Sequence, residues 1–181
     1  SPDGEKLVSA SKDGEVKIWS LSPISLLNKF SVNKEARISV FVDQGKKIFI
    51  AEGEGMGNFR KWYIKDANTF ETLFDGELPN FTNVIQISLD SNYIAYVNRY
   101  TFDFVVLEFN GEKYEQSFNS NDHKGMVINI QFSWDSENIL TASHDGRARV
   151  FDINGKKLKY DPVKYGFFFH SPIAFSPDGR Y

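Results

Sequence analysis

Three residues of this 181-residue chain, His123, Ser143 and Asp145, are of types that together could do chemistry. A hydroxyl, an imidazole and a carboxylate are the parts of a hydrolytic triad, in which the imidazole takes the hydroxyl proton and the carboxylate orients the ring. Their surroundings argue for another use. Ser143 falls within an alternating run, Asn138 to Ser143, that reads as a β-strand. A nucleophilic serine is instead exposed on a strained strand-to-helix elbow. The other histidines add no site: His144 reads as a solvated turn residue and His170, between Phe169 and Ser171, as a core or loop residue. With three histidines, no cysteine and no ligand spacing, neither a metal site nor any cofactor is expected.

Two further stretches invite a ligand and receive a plainer reading. Gly53-Glu54-Gly55-Met56-Gly57 is glycine-rich, but no helical pattern follows it to receive a phosphate, and its acidic side chain would repel one. It reads as a long hairpin loop. Lys156, Lys157, Lys159 and Lys164 form a basic run. It reads as an outer-edge strand whose lysines block edge pairing, with a phosphate or acidic-partner patch as the alternative. Asn80-Phe81-Thr82 is a glycosylation sequon, meaningful only in a secreted protein.

Composition narrows the class. The chain is 41% hydrophobic and 25% charged, which marks a folded chain rather than a disordered one. A net charge of −3 weighs against nucleic acid or an anionic membrane as partner. There is no long apolar run and no visible signal peptide. The chain opens at Ser1 rather than Met, so the natural N-terminus is expected upstream.

The elements that must position these residues recur. The turn Ser1-Pro2-Asp3-Gly4 is followed by a strand, and the same frame returns at Val42-Asp43-Gln44-Gly45, Ser88-Leu89-Asp90-Ser91, Ser133-Trp134-Asp135-Ser136 and Ser176-Pro177-Asp178-Gly179. The first residues of these turns are 41, 46, 45 and 43 positions apart, a spacing that marks copies of one unit. Each unit reads as four short strands. The second covers Lys6 to Ser11 or Asn138 to Ser143, and the third Val16 to Leu21, Phe59 to Ile64, Phe104 to Phe109 and Ala148 to Ile153. Asn110-Gly111 and Asn154-Gly155 predict tight hairpins before the fourth, because both residue types accept positive φ. The fold class is all-β, a meander repeated radially.

Period and motifs together resemble the WD-repeat β-propellers, whose unit of about 40–45 residues carries Gly-His near its start and Trp-Asp near its end. Trp19-Ser20 and Phe151-Asp152 stand at the Trp-Asp position, and Asp122-His123-Lys124-Gly125 where the Gly-His sits. The resemblance covers almost the whole chain, strongly in the first and last full units and weakly in the middle two. It implies four-stranded antiparallel blades in an incomplete, open propeller. Residues 1–31 would be a blade remnant, 36–75, 82–119 and 126–161 complete blades, and 167–175 the first strand of another. Such propellers usually have about seven blades, so a fragment of a longer propeller is expected. The alternative is a closed four-bladed ring, in which Phe167 to Phe175 completes the first blade.

The resemblance also implies a structural tetrad, in which a Trp N–H meets a hydroxyl, the hydroxyl a His, and the His an Asp. His123, Ser143 and Asp145 would supply three of its members in the last blade, and Ser11, Asp13 and Trp19 their counterparts in the first. An imidazole of His123 bonded to Asp145, with the Ser143 hydroxyl on its other nitrogen, is the expected geometry. Phe59-Arg60-Lys61 is faintly similar to a phosphoinositide motif of one propeller group, without its second Arg and its Gly. Function follows as an expectation: a non-catalytic, cytoplasmic protein-protein interaction scaffold, with protein partners on the top face and against the remaining blades of the parent. The alternative is a sensor or accessory propeller domain of a larger enzyme. Arg99, Tyr100 and Phe102, then Lys164, Tyr165 and Phe167, are the candidate partner-binding residues, because exposed aromatics and cations on propeller loops make hot spots.

Overall fold

The computed structural model describes residues 1–55, 58–166 and 173–176. Its strands are β1 (Lys6–Ala10), β2 (Glu15–Leu21), β3 (Ile24–Ser31), β4 (Glu35–Val42), β5 (Lys47–Glu54), β6 (Asn58–Asp66), β7 (Thr72–Ile87), β8 (Tyr93–Asn98), β9 (Phe104–Phe109), β10 (Tyr114–Ser120), β11 (Val127–Phe132), β12 (Asn138–Ser143), β13 (Arg147–Asp152), β14 (Lys157–Leu158) and β15 (Val163–Lys164). Chain contacts divide them into two units, Ser1–Asn80 and Phe81–Tyr181.

In the first unit β1, β2 and β3 form one antiparallel sheet, and β4, β5, β6 and the start of β7 a second. Alternation explains the pairing of faces: Val16 and Ile18 of β2 are fully buried, while their neighbours Lys17 and Trp19 point to the opposite face. With Ala36 and Phe41 of β4 and Ile48 and Ile50 of β5 they close one core.

In the second unit the end of β7 pairs with β8, which continues through β9 to β10. The last sheet runs β11, β12, β13, β14, and β15 adds to β13 beyond the end of β14. Between these two sheets Ala95, Val97, Phe104 and Val106 meet Ile130, Ile139 and Phe151. Phe104 and Phe151 lie 4.7 Å apart between ring centroids.

The recurring turn has one geometry in three of its described copies. In Ser1–Gly4, Ser88–Ser91 and Ser133–Ser136, the fourth residue donates its N–H to the first residue's carbonyl at 3.0 Å. The aspartate then accepts the next residue's N–H, and the serine hydroxyl takes the N–H after that. The same closure forms the β2 entry at Ser11–Gly14 and the β12–β13 turn at Ser143–Gly146. The fourth residue always takes positive φ: 73° at Gly4, 61° at Ser91 and Ser136, 74° at Gly146. Val42-Asp43-Gln44-Gly45 has no serine to make these bonds, and its Asp43–Gly45 forms a 3₁₀ turn instead.

Two sequence expectations change. Residues 76–81, which the sequence leaves between blades, belong to the sixteen-residue β7, in which Phe81 takes positive φ (69°) and the register shifts between Thr82 and Val84. In the Asn154-Gly155 hairpin the positive φ falls on Lys156 at 50°, not on the glycine.

Candidate functional site

The loop ahead of β11 presses against the β12–β13 turn. A Cβ on Gly125 would fall 2.8 Å from the backbone nitrogen of Asp145, so only glycine lets the two backbones approach this closely. Three hydrogen bonds fasten the approach. Ser143 Oγ donates to the Gly125 carbonyl (2.8 Å), His144 N–H to Met126 O (2.9 Å) and Lys124 N–H to Asp145 Oδ2 (2.9 Å). His123, one residue earlier, is thereby turned inward and is only 4% exposed.

Its ring is bonded at both ends. Nε2 lies 2.7 Å from Thr141 Oγ1, and Nδ1 lies 2.6 Å from Nη1 of Arg149. The same Nη1 donates to Asp145 Oδ2 at 2.9 Å. A guanidinium Nη1 carries two N–H bonds and no lone pair to share, so one serves the imidazole and the other the carboxylate. Nδ1 must therefore be the accepting nitrogen and Nε2 the protonated one. Asp145 Oδ2 sits 3.3 Å from Nδ1, two acceptors bridged by the guanidinium between them. Thr141 receives the Nε2–H and passes its own proton toward the Arg149 carbonyl at 3.4 Å.

The charge states fit this arrangement. Burial holds the His123 imidazole down to about 4, and the adjacent Arg149 cation adds to the effect. Burial alone would raise the Asp145 carboxyl; the Lys124 N–H and the Arg149 charge outweigh it and hold it below the usual carboxylate range.

The hydroxyl partner differs from the sequence expectation. Ser143 does not reach His123; Thr141, two residues earlier on β12, does. In the first unit Trp19 Nε1 donates to Ser9 Oγ at 3.1 Å, and Ser11 is not its partner. Ser9 and Thr141 hold the same register position, opposite Lys17 and Arg149. Asp13 lies in its exposed turn accepting the Glu15 N–H, which with Ser11 lowers its pKa. Phe151 has no N–H to give Thr141, and the His123 Nε2–H fills that role.

The partner-binding candidates fall in two places. Arg99, Tyr100 and Phe102 occupy the β8–β9 turn, where Asn98 Oδ1 accepts the Tyr100 N–H and Phe102 takes φ 64°. Tyr100 is 65% exposed and meets Phe81, 47% exposed, edge-on at 4.8 Å. Lys164 lies exposed on β15, and Tyr165 donates its hydroxyl to the Ser143 carbonyl at 2.5 Å. Phe167 and His170 lie outside the described residues. Sequence reasoning missed Ser9, Thr141, Arg149 and Phe81. Only the i, i+2 identity of strand faces pointed to the first two.

The profile described as WD domain, G-beta repeat matches residues 1–20 and 113–152, stretches that hold Trp19, His123, Asp145 and Phe151. Among solved structures, the Cps50 (Swd1) β-propeller domain of Myceliophteria thermophila superposes with a TM-score of 0.81 at 16% identity, over 99% of this chain and 58% of that one. Two stretches of the chain thus match the WD repeat, and its strands follow the β-propeller fold. Among WD-repeat relatives, eukaryotic translation initiation factor 3 subunit I of Culex quinquefasciatus is 23% identical over 81% of this chain and 47% of its own length. Echinoderm microtubule-associated protein-like 4 of Homo sapiens is 24% identical over 87% of this chain and 16% of its own. Periodic tryptophan protein 2 of Saccharomyces cerevisiae is 25% identical over 99% and 19%. The chain thus spans half or less of the length of these relatives.

Proposed function

We propose that this WD-repeat chain is a non-catalytic interaction scaffold that binds a protein partner through the turns of its second unit. The observation that carries the reading is the exposed Tyr100–Phe81 pair beside Arg99, large rigid surface held on a turn with few rotamers to lose. The His123–Thr141–Arg149–Asp145 network serves as the clasp that fixes the β12–β13 turn. Its hydroxyl is fully buried and already bonded, so it offers no nucleophile to a substrate. A cytoplasmic setting accords with the relatives' names. The test compares proteins captured from a native extract by the wild-type chain and by Arg99→Ala/Tyr100→Ala. Loss of specific proteins at an unchanged melting temperature is expected; identical capture by both would overturn the reading.

A further inference from the structure

Arg147 and Lys164 stand directly opposite each other in the β13–β15 pairing. Opposed residues of an antiparallel pair share a face with Cβ atoms about 5 Å apart, and like charges placed so repel. Neither cation has a carboxylate within ion-pair distance among the described residues, unlike Lys17, Lys61 or Arg149. The carboxylates nearby in sequence are engaged or distant. Asp145 is held by Arg149, Asp122 accepts from the Ser120 hydroxyl, and exposed Asp161 forms no ion pair with either. Exposed Lys124 adds a third cation to half-buried Arg147 and exposed Lys164 at the same place, since its N–H and that of Arg147 bind the two oxygens of one carboxylate, Asp145.

The arrangement is built into the fold. Tyr165 N–H bonds to Gly146 O at 3.0 Å and the Tyr165 hydroxyl to Ser143 O at 2.5 Å, which pins Lys164 beside the turn. A fold that fixes two cations in register, with no ion-pair partner for either among the described residues, gives up stability locally, and departures of that kind mark functional places.

We infer that Arg147, Lys164 and Lys124 bind an acidic segment of a partner protein, its carboxylates lying across the β12–β13 turn. This rests on the scaffold reading and names the chemistry of the partner. A short run of carboxylates needs only this local complement. A nucleic acid, charged along its whole length, would meet a chain of net charge −3.

The test is fluorescence anisotropy of a labelled glutamate decamer on the 181-residue chain. A glutamine decamer, a single-stranded oligonucleotide and anionic vesicles serve as comparisons. The glutamate peptide should bind alone, weaken steeply with salt, and lose about tenfold or more in affinity with Arg147→Ala/Lys164→Ala. Lys156→Ala/Lys157→Ala, on the outer hairpin, should change little. The Arg147→Ala/Lys164→Ala chain should melt no lower than wild type, because a repulsion has been removed. No binding at low salt, equal loss in both double variants, or preference for the oligonucleotide or vesicles overturns the inference. If Arg99→Ala/Tyr100→Ala still loses its captured proteins while the decamer fails to bind, the scaffold reading stands and the acidic partner falls.

Discussion

Truncating Arg149 leaves two polar groups short of a donor at once, His123 Nδ1 and Asp145 Oδ2. Arg149→Met should therefore cost about 3–5 kcal/mol, the range for removing one member of a buried ion pair, measured by urea denaturation. It should also move a proton. With the guanidinium gone, the closest partner for Nδ1 is Asp145 Oδ2 at 3.3 Å, so the ring should protonate there, and long-range ¹H–¹⁵N spectra should show the change from the Nε2–H form. Unchanged spectra would refute the tautomer derived above. The pH dependence follows the same groups. His123 falls from an unfolded value near 6.5 to about 4, so the unfolded chain binds the proton first, and about 3 kcal/mol of stability is lost as pH drops from above 6.5 to 4. Asp145, lowered as well, loses its own contribution as pH falls through its folded pKa, in the same direction. His123→Gln should flatten most of this acid sensitivity in denaturation curves at pH 7 and 4.5. At this scale the family resemblance implied His123 beside Asp145, which lie 3.3 Å apart, but it named the wrong hydroxyl. Residues 141 and 143 share a face in a strand of period 2, and nothing in the sequence says which one the ring meets. Arg149 escaped notice because a charge in an alternating strand reads as solvated.

Strands and turns carried the clearest signal, for a steric reason. The Ser-x-Asp-Gly turn needs a short acceptor at its third position and positive φ at its fourth, so its residue types are restricted wherever it recurs. Where the fourth residue is Ser91 or Ser136, the turn survives at φ 61° because the serine and aspartate bonds remain. β7 was illegible because a strand that continues through a blade boundary has no turn to announce it. The glycines of the turn predict a graded result. Gly4 (φ 73°) has open space where a Cβ would go, whereas at Gly14 (φ 86°) it would fall 2.8 Å from Lys34 O and 2.9 Å from Val32 O. Gly4→Ala should cost about 1 kcal/mol for the backbone conformation alone, and Gly14→Ala at least about 1 kcal/mol more for the displaced backbone. Thermal melts of the two single variants compare them directly. Equal losses would mean that the β3–β4 connection yields freely at that contact.

At the scale of the molecule, the repeat period established the blade-like units, while the surfaces each sheet leaves open depended on register. In the first unit Leu7, Trp19 and Leu26 oppose one another across β1, β2 and β3, with Leu7 50% and Leu26 46% exposed. Beside them Ile24 is 79% exposed on β3, the outer edge of a three-stranded sheet. Other outer strands carry guarding charges, such as Asp75 on β7, paired with Lys61, and Lys157 on β14. The Ile24–Leu27 half of β3 has no such charge, its lysine, Lys29, lying further along the strand in a pair with Glu15, and an apolar edge of this kind is a template for pairing with another chain. The 181-residue chain should self-associate in a concentration-dependent way by analytical ultracentrifugation. Ile24→Lys/Leu26→Lys should shift it toward monomer without lowering its melting temperature, because both side chains lie in solvent rather than in the core. A wild-type chain that stays monomeric at high concentration and melts in one sharp transition would count against an open apolar edge and favour the closed four-bladed ring.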